Sequence, residues 1–127
     1  MHENFQSRGE QMIDAMTLLQ NDVQHYAAAV ALLAVHSAIA FNDAVQMKLS
    51  GKWVKDADHK KTASHTRKLC SSLGYDAGGI THLEKLLARK NEYSYSNTII
   101  DDETANAAGI HAERFQAWAL KVLGGLK

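Results

Sequence analysis

Residues 26–41, YAAAVALLAVHSAIAF, are apolar on nearly every side of a helix drawn through them, and no other stretch constrains the fold so tightly. A soluble domain accommodates such a rod only by surrounding it with other helices. The predicted helix over about 24–49 is therefore the central element of the chain. Its alanines allow close backbone approach, either within a bundle or across a dimer interface, and Ser50-Gly51 supplies the stop. The chain has no proline, which suits long helices and not short strands joined by Pro-rich turns.

Around this rod the remaining pattern is also helical. Met12, Ile13, Met16, Leu19 and Val23 recur at three- and four-residue spacing and predict a helix over about 10–22. Trp53 and Val54 fall in a short connection, and Asp56 or Asp58 is placed to cap a helix over about 58–73. That helix offers Ala63, Leu69, Cys70 and Leu73 as its buried stripe, and Gly74 ends it. Ile80, Leu83, Leu86 and Leu87 predict a helix over about 79–92, capped by Thr81 or an earlier residue. Tyr93 to Ile100 has strand-like propensity but no partner strand, so it is expected to be a helix end followed by an ordered connection. The last helix, about 102–124, buries Ala105, Ala108, Phe115, Trp118, Ala119, Val122 and Leu123. The expectation is one all-α domain over residues 1–127, an up-and-down bundle of four to five helices with its core over about 10–124. At 127 residues, 46% hydrophobic and 22% charged, the chain can bury one core without staples.

Cys70 is the only cysteine, so an intrachain disulfide and a cysteine-rich metal site are excluded. Its place on an apolar stripe suits a small, inert core residue. The first residues, MHENFQSRGEQ, lack a signal-peptide pattern, and the apolar run 27–41 is short for a membrane span. These features lead us to expect a cytoplasmic protein without integral membrane association. Basic and acidic residues balance at 14 each, which gives no overall nucleic-acid signal. Their distribution is uneven: Lys52, Lys55, Lys60, Lys61, Arg67 and Lys68 form a basic segment, while residues 1–47 are acidic on balance. That segment is either a phosphate-attracting patch or an ordinary solvated face.

Several polar groups are candidates for chemistry. His36 lies in the middle of the central helix, with Asn42 and Asp43 about two turns on, and buried polar groups of this kind need hydrogen-bond partners. They form either a packing network or part of a groove. Arg89 and Tyr93 are four apart and share a helix face, where a guanidinium and a phenol can meet a phosphate. Arg89 pairing with Asp43 is the structural alternative. Asp22 with His25, and Asp56 with His59, have three-residue spacing, but no Glu-x-x-His occurs. A site from His25, His36 and His59 or His65 is the metal-binding alternative; the expectation is no metal and no cofactor. Phosphate-loop, dinucleotide, HExxH and CxxC motifs are absent, and no spacing singles out a nucleophile.

Three segments in order, AAVALLAVHSAIAFNDAV at 28–45, ADHKK at 57–61 and LEKLLARKNEYSY at 83–95, resemble the HEPN-like superfamily of helical bundles. The resemblance covers about 10–124. It implies a dimerising bundle working in RNA- or nucleotide-associated systems. Catalytic branches of that superfamily look like metal-independent endoribonucleases, with an arginine followed four to six residues later by histidine. Arg89 would be that arginine, but the corresponding window here, 94–96, is Ser-Tyr-Ser. The next histidine is His111, in the following helix. A tyrosine, with a reference pKa near 10, is a poor base at neutral pH. The resemblance therefore implies a non-catalytic binding or assembly domain, a homodimer with a protein, nucleotide or RNA partner. Its groove would comprise Arg89, Tyr93, Asn42, Asp43 and His36. The enzymatic alternative is a ribonuclease using Arg89 with His36 or His111.

Overall fold

A computed structural model describes residues 1–52, 59–95 and 97–127, with backbone alone at 59 and 60. Every regular element among the described residues is a helix: α1 (His2–Gln20), α2 (Val23–Ser50), α3 (His59–Leu73), α4 (Ile80–Ala88), α5 (Lys90–Tyr95) and α6 (Asp102–Leu123). The expected connection at Trp53 and Val54, and the caps at Asp56 or Asp58, lie outside the described residues.

Two differences from the sequence expectation have clear causes. Helix α1 begins at His2 and not near residue 10, because Phe5 and Gly9 carry the inner stripe of Ile13 and Met16 back by two turns. Gly9 conceals this: a Cβ there would lie 2.8 Å from the Phe41 ring, so the position is glycine to let α2 approach. The helix expected over 79–92 divides at Arg89, whose φ of −111° and ψ of 9° leave the helical region. An unbroken Leu83–Leu86 stripe would carry the charged Lys90 toward the core; with the break Lys90 is half-buried and Tyr93 takes the buried position. Six helices result among the described residues where four to five are expected.

Helix α2 is central, touching all five other helices. With α1 it forms a hairpin across Asn21 and Asp22, and α6 lies along it as a second main neighbour. Val30, Val35, Phe41 and Val45 of α2 meet Met16, Ile80, Leu83, Leu86 and Phe115 in the fully buried core. The enclosure of α2 is incomplete within one chain: Ala28 and Leu32 are exposed, and Leu33, His36 and Ile39 are half-buried. By length and mean hydropathy, 1.6 over an 18-residue window, α2 would suit a membrane span, but 61% of that window is buried against the other helices.

The helix ends follow local chemistry. Gly51, with φ of 71°, closes α2 by donating its N–H to the Met47 carbonyl at 2.9 Å. After α3, the Tyr75 N–H reaches the Cys70 carbonyl at 2.8 Å across Gly74, whose φ is 79°, a closure that requires the left-handed region. The N-cap of α4 is Gly79, the earlier residue of the two alternatives, and Asp101 caps α6 by accepting the Thr104 N–H at 2.7 Å. The α6 stripe is buried throughout, as expected. In α3, Ala63 and Cys70 are buried, but Leu73 is exposed and Thr66 is fully buried.

Thr66 belongs to a polar network between α2 and α3. Its hydroxyl donates to Asn42 Oδ1 at 2.6 Å and accepts from Gln46 Nε2 at 2.9 Å. Asn42 Nδ2 and Gln46 Nε2 also donate to Thr62 Oγ1, at 3.1 and 2.8 Å. Such mutual satisfaction offsets the burial of these polar groups and fixes the α2–α3 register.

Candidate functional site

The break at Arg89 builds one side of a concavity. Because α5 restarts at Lys90, Glu92 comes back beneath Arg89, and the guanidinium donates to both carboxylate oxygens at 2.9 Å. It also stands 5.2 Å from the centroid of the Tyr93 ring. The fork of hydrogen bonds to Glu92 raises the Arg89 pKa above its already high value, so the group stays cationic. Burial pushes the Tyr93 phenol upward, so at neutral pH Tyr93 is a hydrogen-bond donor and not a phenolate.

Helix α6 supplies the other side. Lys85, Arg89, Tyr93 and His111 line a concavity of about 310 Å³, with Ala107 and Ala108 among its apolar walls. Small residues on α6 keep it open where larger side chains would fill the space. His111 does not stand alone: its Nδ1 lies 3.0 Å from Nδ1 of His82 on α4. The two ring centroids are 5.2 Å apart, with the planes tilted by 40°. At this separation one neutral imidazole donates its N–H to the lone pair of the other.

Both histidines have pKa values lowered from the ordinary 6.5. For His82 the causes are burial, then the charges of Arg114 and Lys85. For His111 they are burial, then His82, Lys85 and Arg114. The rings are therefore neutral at pH 7. Neither Lys85 nor Arg114 forms an ion pair among the described residues, in contrast to Arg67, which pairs with Glu84 at 2.6 Å. Two cations, Lys85 and Arg114, a third, Arg89, held by the Glu92 carboxylate, a phenol donor and two neutral imidazoles thus gather at the α4–α5–α6 junction. This is an arrangement suited to an oxyanion.

The groove expected from the sequence is distributed over three places. Arg89 and Tyr93 share the concavity just described, together with His111. His36 and Asp43 line a separate hollow of about 120 Å³ between α1 and α2, with Arg8. Asn42 is buried in the α2–α3 network. Arg89 pairs with Glu92 and not with Asp43, the structural alternative that the sequence offers. In the basic segment, Lys52, Lys61 and Lys68 are exposed on the surface, and Arg67 is held by Glu84. Lys55 and the side chain of Lys60 lie outside the described residues.

His25 Nδ1 meets Asp22 Oδ1 at 2.8 Å on the surface, while Asp56, the partner considered for His59, lies outside the described residues. Among the described residues no three potential metal-ligating side chains come together. Cys70 is buried, and burial raises its thiol pKa, which keeps it protonated.

Sequence reasoning overlooked His82, Lys85 and Arg114. Their signal was present: His82, Lys85 and Arg89 follow three- and four-residue steps, and His111 and Arg114 are three apart, so each set shares a helix face. The facing of the two sets was not visible, since it depends on how α4 packs on α6.

No protein-family model and no curated protein sequence matches the chain.

Proposed function

We propose that the chain is a non-catalytic, HEPN-like, cytoplasmic helical domain, homodimeric, that binds a nucleotide or RNA through phosphate at the α4–α5–α6 concavity. The observation that carries this reading is the convergence of Lys85, Arg89, Tyr93 and His111 on one hollow. Phosphate oxygens accept from the guanidinium and the ammonium, and the phenol adds a neutral donor. Tyr95, next along α5 and 79% exposed, offers a face on which a base can stack. The HEPN-like part rests on the resemblance of the three segments and on a long central helix with a later helix, α4, that ends at Arg89.

The test is a binding titration of a labelled oligoribonucleotide and of a nucleoside diphosphate, with wild type and Arg89→Ala. Loss of a charge-assisted contact of about 1.5–3 kcal/mol weakens binding by about tenfold or more. The RNA is expected to remain intact throughout. Equal affinity of the two proteins at low salt refutes the site, and absence of binding refutes the function.

One observation favours a second reading. His111 is neutral at pH 7 and lines the same hollow as Arg89, which is what a metal-independent ribonuclease needs of its base and its charge stabiliser. Cleavage of RNA in the presence of a chelator, abolished by both His111→Gln and Arg89→Ala, establishes it. Intact RNA after prolonged incubation removes it.

A further inference from the structure

The two histidines at the α4–α6 contact give the proposed anion site a specific regulation. We propose that the His82–His111 pair couples oxyanion binding to protons: an anion in the concavity draws one proton onto the pair, so the site tightens as pH falls. This inference rests on the anion-binding reading above.

The bonding of the pair makes a single added proton compatible with the fold. In the neutral pair one ring carries its proton on Nδ1 and donates it to the other Nδ1, which leaves Nε2 of the donor ring with a free lone pair. Water or buffer acid supplies a proton to that Nε2. The donor ring becomes an imidazolium, its Nδ1–H still points at the same acceptor, and the hydrogen bond becomes charge-assisted. No covalent bond between heavy atoms changes. A second proton would place N–H groups on both Nδ1 atoms and break the contact, so the pair holds one proton and not two.

The surroundings explain why the proton awaits an anion. Lys85 on α4 and Arg114 on α6 act on both rings, and Arg89 and Tyr93 face the same hollow from the α4–α5 junction. No charged group on α1, α2 or α3 figures among the causes of either shift among the described residues. Cationic neighbours oppose protonation until an anion offsets their charge. By reciprocity, whatever raises the proton affinity of the pair is itself bound more tightly when the proton is present.

Sulfate is the appropriate probe, because its charge stays constant across the range in which histidine titrates. Calorimetric titration of the full chain with sulfate at about pH 6.5, in buffers of differing ionisation enthalpy, counts the protons taken up. The expected result is net uptake approaching one proton, with affinity rising by about fivefold or more from about pH 8 to about pH 5.5, below the linkage ceiling of tenfold per unit. His82→Gln keeps a hydrogen-bonding side chain opposite His111 and is expected to abolish most of the uptake. If that variant fails to fold, nitrogen NMR of labelled histidines in the wild type decides, since sulfate must shift the His82 and His111 signals toward the imidazolium form. Sulfate or nucleotide binding with no proton uptake overturns the coupling and leaves the anion-binding function standing. No binding of sulfate or nucleotide at any pH overturns both.

Discussion

Replacing Gly79 by alanine tests whether the close approach of α4 to α6 is a real packing constraint. A Cβ at Gly79 would meet Cγ and Cβ of Trp118, with Cδ2 at 2.7 Å, against an ordinary carbon–carbon separation of about 3.5–4.0 Å. Trp118 cannot easily retreat. Its Nε1 donates to the Asp76 carbonyl at 2.7 Å, and its ring stacks on Phe115 with centroids 5.4 Å apart. Overpacking costs about 1–3 kcal/mol, and loss of the indole hydrogen bond adds about 0.5–1.5 kcal/mol. The backbone itself contributes little, since φ of −68° suits any residue. The expected loss is about 2–4 kcal/mol, or roughly 8–16 °C in Tm for a chain of this length. Gly109→Ala in α6 is the control. Its Cβ meets the movable amide end of Gln20, whose Cδ is 3.5 Å away, and alanine is favoured in a helix interior by about 1 kcal/mol. Urea denaturation followed by circular dichroism measures both variants. The steric reasoning is refuted if Gly79→Ala lies within about 0.5 kcal/mol of wild type, or if the two glycines behave alike.

Thr66→Val preserves shape but removes the donor to Asn42 Oδ1, while Gln46 Nε2 keeps Thr62 as acceptor, which lowers unfolding stability by about 1–3 kcal/mol in the same assay. Lys85→Glu places a carboxylate beside His82 and His111, so it raises their pKa values and weakens sulfate or nucleotide binding by about tenfold or more, read by calorimetry. The pH dependence of stability has a definite sign. Both folded-state pKa values lie below the ordinary 6.5, so the unfolded chain takes up protons first. Stability from the neutral pair is complete above 6.5 and declines as pH falls toward the folded values. In low-anion buffer, Tm of wild type is expected to fall faster than that of His82→Gln over this window; parallel curves contradict it.

The all-α class and the central position of α2 were legible because hydrophobic periodicity is a local property. Residues 26–41 have no polar face, and α6 shows its stripe from Ala105 to Leu123 at helical spacing. What stayed hidden depends on which surfaces meet. Gly9 looks like a weak point in a helix until the Phe41 ring is seen against it. Thr66 looks like a surface residue until Asn42 and Gln46 face it from α2. The candidate site divides the same way. Arg89 and Tyr93 were found because four-residue spacing is readable, whereas the separation of His36 from Arg89 follows from the packing of α1 and α6 on different parts of α2.

Electrostatic pairing around α4 separates the two faces of that helix. Toward α3, Glu84 meets Arg67, an arrangement expected wherever stability alone governs surface charge. Toward α6, Lys85 acts on the same two histidines as Arg114, and neither cation is paired among the described residues. Like charges brought together with burial-depressed histidines cost stability. A carboxylate at either position would relieve that cost, and α4 shows that the fold tolerates one a single residue away. No carboxylate among the described residues relieves that charge, which leaves the proposed anion as its counter-ion. The small side chains Ala107 and Ala108 keep space for it in the hollow beside His111.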